Sequence, residues 1–187
     1  MIVEAFFENR GGKSLFDPTI FDNLKVVLEG AVYDLDAIGM IGVTNRSDRV
    51  DLAHMSRDYM LQFREQAVED GGLAELRLAV DSTDLMNEIL EKGDRFTGCR
   101  LTLTVEIETM DPDQLCPRIQ ETMQEIWENN PKITQRLTFI FGTRVYRNRV
   151  TLDFERKINE DLETFVDHAL LSLQNMNQLK QKLEGDL

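Results

Sequence analysis

The sequence predicts a two-layer α+β domain: a mixed, mostly antiparallel sheet with helices packed mainly on one face, closed by a long C-terminal amphipathic helix. Three observations predict it. Leu101, Leu103, Val105 and Ile107 alternate with Thr102, Thr104, Glu106 and Glu108, the pattern of a strand with one buried and one wet face. The second half of the chain reads strand, helix, strand, helix, strand, strand, helix, and half-buried strands in such an order place helices on one side of a sheet. Finally, Ile158, Leu162, Phe165, Ala169, Ser172, Met176, Leu179 and Leu183 step by four and three residues, a heptad seam on a helix from about Arg156 to Leu183.

The elements follow in order. Met1 to Glu8 alternates as a strand until Gly11 and Gly12 break it. Asp17-Pro18 is a helix-start signal, and Ile20, Leu24, Val27 and Leu28 share one helical face ahead of an expected stop at Gly30. Ala31–Leu35 and Met40–Thr44 read as short strands around a turn. Two patterns overlap between Ser47 and Asp70. Leu52, Met55, Tyr59, Phe63 and Ala67 lie at helical spacing, while Tyr59, Leu61 and Phe63 alternate like a strand; helix is the expectation, stopped at Gly71-Gly72. Glu75–Val80 is a strand, and Asp81-Ser82-Thr83 caps a helix closed by Gly93. Asp111-Pro112 opens another helix, with Leu115, Ile119, Met123 and Ile126 on its buried side. Pro117 fits there only near the first turn. Ile133–Tyr146 and Arg149–Glu155 then form a hairpin, with Asn148 supplying the left-handed conformation of a tight turn at Arg147-Asn148. Residues 1–187 are expected to form one domain, with at most a weak subdivision near 70–74.

Composition limits the function classes. The chain has 187 residues, 42% apolar and 29% charged, and a formal net charge of -13. Residues 131–152 nevertheless hold five basic side chains and no acid, which leaves -18 on the remainder. A surface so acidic repels phosphates and anionic lipid, so nucleic acid is expected only through the 144–149 segment and a membrane not at all. No basic start and long apolar run marks a secretory signal in the first residues, and no stretch approaches the 20 or so residues of a membrane span. Cys99 and Cys116 lack metal-ligand spacing and read as reduced thiols of a cytoplasmic protein.

Motifs of catalysis are sparse. Gly12-Lys13-Ser14 resembles the end of a phosphate-binding loop, but the glycine required five positions earlier is Phe7. His54 and His168 are the only histidines and have no ligand-spaced partner. Glu163 with Asp167, and Asp34 with Asp36, read as a solvated helix face and as turn chemistry rather than metal or acid/base pairs. Cys99 precedes Arg100, a weak signal for a lowered thiol pKa. No serine elbow or dinucleotide fingerprint is present. No catalytic, metal or cofactor residues are assigned.

Two surfaces remain. With a turn at Arg147-Asn148, Arg144, Tyr146 and Arg149 would form an outward cluster with Arg147 at the tip, able to bind an anion or to pair with acids of this chain or of a second copy. The narrowing seam of Met176, Leu179 and Leu183, on a helix of roughly 42 Å, suggests a projecting end that a homodimer would cover. The leading expectation is a non-enzymatic, dimeric interaction protein: an adaptor, a chaperone-like protein or a regulatory factor. The second is an anion-binding module using the arginine hairpin for a phosphorylated ligand or nucleic acid. The third is a metal-dependent hydrolase with scattered carboxylates.

Overall fold

The computed structural model describes residues 19–90, 98–128, 130–158 and 162–185. A first helix, α1 (Thr19–Ala37), leads into strands β1 (Ile41–Asp51), β2 (Ser56–Glu65) and β3 (Leu73–Val80). Helix α2 (Ser82–Ile89), strand β4 (Cys99–Thr109) and helix α3 (Pro112–Ile126) follow, then strands β5 (Lys132–Phe139) and β6 (Tyr146–Ile158) and helix α4 (Leu162–Gly185). The strands form one sheet in the order β1-β2-β3-β4-β6-β5, and every pairing is antiparallel. The predicted α+β class is therefore the observed one, and the sheet contains no parallel pair among the described strands.

Period-two burial sets the layers. Tyr59, Leu61 and Phe63 on β2, Leu76 and Leu78 on β3, Leu101, Leu103 and Val105 on β4, and Val150 and Leu152 on β6 point into one core. Helix α4 lies over that face and packs against α1 on one flank and α3 on the other. Among the described residues no helix covers the opposite face. Polar side chains bridge its strands: Asp58 accepts from Arg49 and Arg77, and Gln62 donates to Glu75.

The caps at Asp81 and Asp111 act as expected, and the Asp17-Pro18 signal lies outside the described residues. Asp81 Oδ1 accepts from the backbone N–H groups of Thr83 and Asp84, and Asp111 Oδ1 from that of Gln114. Pro117 lies inside α3, beyond its first turn. The expected strand at Met1–Glu8, the Gly12-Lys13-Ser14 triplet and the stop at Gly93 lie outside the described residues.

Four expectations are corrected. Helix α1 does not stop at Gly30, and Ala31–Leu35 is not a strand: the buried stripe of Phe21, Leu24, Leu28 and Val32 runs on past the glycine. Gly30 faces outward, where an added Cβ would meet nothing within 4 Å. Asp34 and Asp36 therefore sit on a helix and do not share a face. Residues 47–70 are not helical. They form the end of β1, a turn through Met55 (φ 54°) and β2, because Tyr59, Leu61 and Phe63 have strand neighbours on both sides. Arg156–Ile158 belongs to β6 rather than to the last helix.

Ion pairs dock α1 on the β1–β2 hairpin. Asp48 accepts from Arg57 and from Lys25, Arg57 also reaches Asp22, and Tyr59 donates its hydroxyl to Glu29, which pairs with Arg46. The hydrogen-bonded Arg57 guanidinium and the Lys25 ammonium hold Asp48 near a pKa of about 2, below its ordinary 3.8, against the upward push of burial.

Two predictions follow from this packing. Gly30→Ala should stabilise the protein by roughly 0.5–1 kcal/mol, because the helix gains a better former without a clash; a melting curve that does not rise would contradict the open geometry. Asp48→Asn should cost about 1–2 kcal/mol near neutral pH. A depressed carboxylate stabilises above its unfolded pKa and loses that contribution as pH falls through the folded one. The gap between variant and wild type should thus close between about pH 4 and pH 2, as read by urea unfolding at stepped pH.

Candidate functional site

The β5–β6 hairpin is the segment where charge, exposure and apolar surface coincide. Its register runs unbroken from Lys132↔Asp153 to Phe139↔Tyr146. The chain reverses over residues 140–145, where Gly142 takes a φ of +89° that favours glycine. The Thr143 N–H and hydroxyl both donate to the Ile140 carbonyl and close the turn.

This corrects the expected turn at Arg147-Asn148. Asn148 is wholly buried in mid-strand opposite Leu137. Its side-chain N–H₂ donates to Gln135 Oε1 at 2.8 Å and to Cys116 Sγ at 3.3 Å, while Gln135 donates to the Cys116 carbonyl. A residue stitched to α3 in this way cannot be a turn. The cluster of Arg144, Tyr146 and Arg149 is consequently not formed. Arg144 is in the turn. Tyr146 stacks with Phe139 at 5.8 Å on the helix-bearing side of the sheet, and Arg147 and Arg149 lie on the open side.

The arginines divide by strand. Arg147 pairs with Glu108 at 3.2 Å and Arg149 with Glu106 at 3.1 Å, both acids on β4. Arg136 lies directly opposite Arg149. Among the described residues neither Arg136 nor Arg144 has a carboxylate at ion-pair distance. The island thus compensates part of its charge within the chain and leaves part uncompensated.

Sequence reasoning missed the apolar tip. Phe139, Ile140 and Phe141 are 64%, 75% and 97% exposed, with Leu137 and Val145 partly so. Taking Ile133–Tyr146 as continuous strand hid them. Three consecutive large apolar residues before Gly142, in a segment that otherwise alternates, were the available signal.

The other expected surface is partly covered by its own chain. Met176 has no exposed surface, and Leu179 and Leu183 pack partly buried against the core of the same chain. The seam on α4 therefore packs at least in part on its own domain.

Remaining candidates carry little chemistry. Cys99 is buried, and burial followed by the Asp113 charge pushes the Cys116 thiol up, away from the nucleophilic form. His54 pairs with Asp51, and His168 lies 5.2 Å from the Trp127 ring. Glu163 and Asp167 are exposed on α4. Among the described residues no group of three His, Cys, Asp or Glu side chains converges as metal ligands would. A cleft of about 750 Å³ lies between the β2–β3 loop, the ends of β4 and β6, and the end of α4. Its cations are already engaged: Arg64 with the Gly71 carbonyl, Lys180 with the Asp70 carbonyl, and Arg147 with Glu108. Compared with family models, with curated proteins and with solved structures, the chain finds no match in any of the three.

Proposed function

We propose that this protein is a non-enzymatic interaction module, an adaptor or regulatory factor, that docks an acidic protein partner on the β5–β6 hairpin. One observation carries the reading: Phe139, Ile140 and Phe141 are exposed together beside two arginines, Arg136 and Arg144, that lack carboxylate partners among the described residues. A contiguous apolar tip in water is unfavourable for a monomer and marks a surface that is covered in use. Aromatic side chains and arginine are also the residue types that dominate binding energy at protein interfaces.

The alternative, an anion or nucleic-acid site, is weaker on the same geometry. Arg147 and Arg149 already hold Glu108 and Glu106, so a phosphate would compete with two intramolecular ion pairs.

The paired variants Phe141→Ser and Arg136→Glu test the reading. Both positions are exposed, so stability should change by less than about 0.5 kcal/mol. Capture of partners from native extract, with wild type and variants run side by side, should fall at least tenfold, or about 1.4 kcal/mol. Partners retained equally by both folded variants would exclude the hairpin as the docking element.

A further inference from the structure

We infer that the partner binds as an added β-strand along β5, and that the segment it supplies is extended, with acidic side chains alternating with apolar ones. The inference rests on the hairpin reading above and specifies the chemistry of the partner.

The sheet has two edges, and they are built differently. At β1 the register slips between Val43 and Asn45, and the charges are already used: Arg49 on Asp58, Arg46 on Glu29, Asp48 on Lys25 and Arg57. Bulges and edge charges are how natural sheets keep an edge from pairing. The β5 edge has no bulge, and its exposed charges, Lys132 and Arg136, are of one sign, so they discourage a basic neighbour and admit an acidic one. Its pairing with β6 has no slip over the whole strand, and no described strand lies beyond it.

The side chains of β5 dictate what a neighbour must carry. Lys132, Thr134, Arg136 and Thr138 share the open face, while Ile133, Gln135, Leu137 and Phe139 share the helix-bearing face. An added strand sets its residues directly opposite, at about 5 Å. It therefore meets Arg136 on one face and the exposed Leu137 and Phe139 on the other. An acid answers the first and an apolar side chain the second. A second copy of this chain fits poorly, because β5 contains no acid to answer Arg136.

The test uses the full isotope-labelled chain and two synthetic probes, a peptide alternating glutamate with valine and its lysine–valine counterpart. The glutamate peptide should slow exchange of alternate backbone amides within residues 132–139 by at least tenfold, and the lysine peptide should leave them unchanged. Arg136→Glu should reverse this preference. Three results would overturn the inference. The first is perturbation of Phe139 to Phe141 without alternating protection of β5, which removes the added strand and leaves hairpin docking standing. The second is equal or absent binding of the two peptides, which removes the acidic, alternating partner; docking itself is then judged by the capture variants. The third is binding of phosphatidylserine vesicles by wild type but not by Phe141→Ser, which assigns the tip to a lipid surface.

Discussion

The position of α4, held over the sheet between two other helices, is the constraint on which the rest of this molecule depends. A helix packed on three sides needs a wide buried stripe, and α4 has one: Leu162, Phe165, Val166, Ala169, Leu170, Leu173 and Met176. Polar residues within the stripe make specific joints. Trp127, at the end of α3, donates its indole N–H to Ser172 at 2.9 Å. Asn177 accepts from the Gly72 N–H and donates to Glu65, which ties the β2–β3 loop to the helix. A Cβ at Gly71 would lie about 3.1 Å from the Asn177 side chain, so the backbone approaches α4 as closely as glycine allows. The seam that looked like a dimer interface is thus used at least in part by the fold itself.

Strand order then decides which arginines are compensated. The crossover through α3 places β6 between β4 and β5. Glu106 and Glu108 on β4 are one strand away from Arg149 and Arg147, and they pair with them. Arg136, one strand further out, has Arg149 as its neighbour and no acid on its own strand. A charge pattern that in sequence is one uniform island becomes a gradient in space, neutralised at the sheet and uncompensated at the edge. Compensation is modest in energy, because exposed pairs are screened and contribute roughly 0–1 kcal/mol each.

How much of this was legible depended on whether local chemistry or distant pairing decides an element. The strand at Leu101–Ile107 and the helices after Asp81 and Asp111 were legible because alternation and caps are local, and the caps form as written. Residues 47–70 were not, since helical and strand spacings share Tyr59 and Phe63. Only the pairing of β2 with β1 and β3 selects one, and those partners are remote in sequence. Gly30 misled because a glycine after a helical run looks like a stop, whereas here it is a solvent-facing interior position. Asn148 misled for a related reason. Its tolerance of turn conformations is visible in sequence, but the side chains of Gln135 and Cys116 that hold it in mid-strand are not. The candidate site is legible as a charged segment and its apolar tip as the run Phe139-Ile140-Phe141 before Gly142, while its faces required the register.

That register is itself pinned by the buried polar group at the root of the hairpin. Gln135 and Asn148 are diagonal neighbours on the helix-bearing face, and both bond to Cys116 of α3. A slip of one residue would send Arg136 to the helix side and Leu137 to the open side, since strand faces exchange with every step. It would also break these bonds and strand amide groups out of water, at about 1–3 kcal/mol each. Among the described residues Asn148 Oδ1 has no hydrogen-bond partner, which counts against the stability of the joint even in the correct register. An apolar pair of residues would pack there without that penalty but would not distinguish registers two residues apart, which keep the same faces. The buried amides therefore serve specificity more than stability. They fix which side chains the edge strand presents.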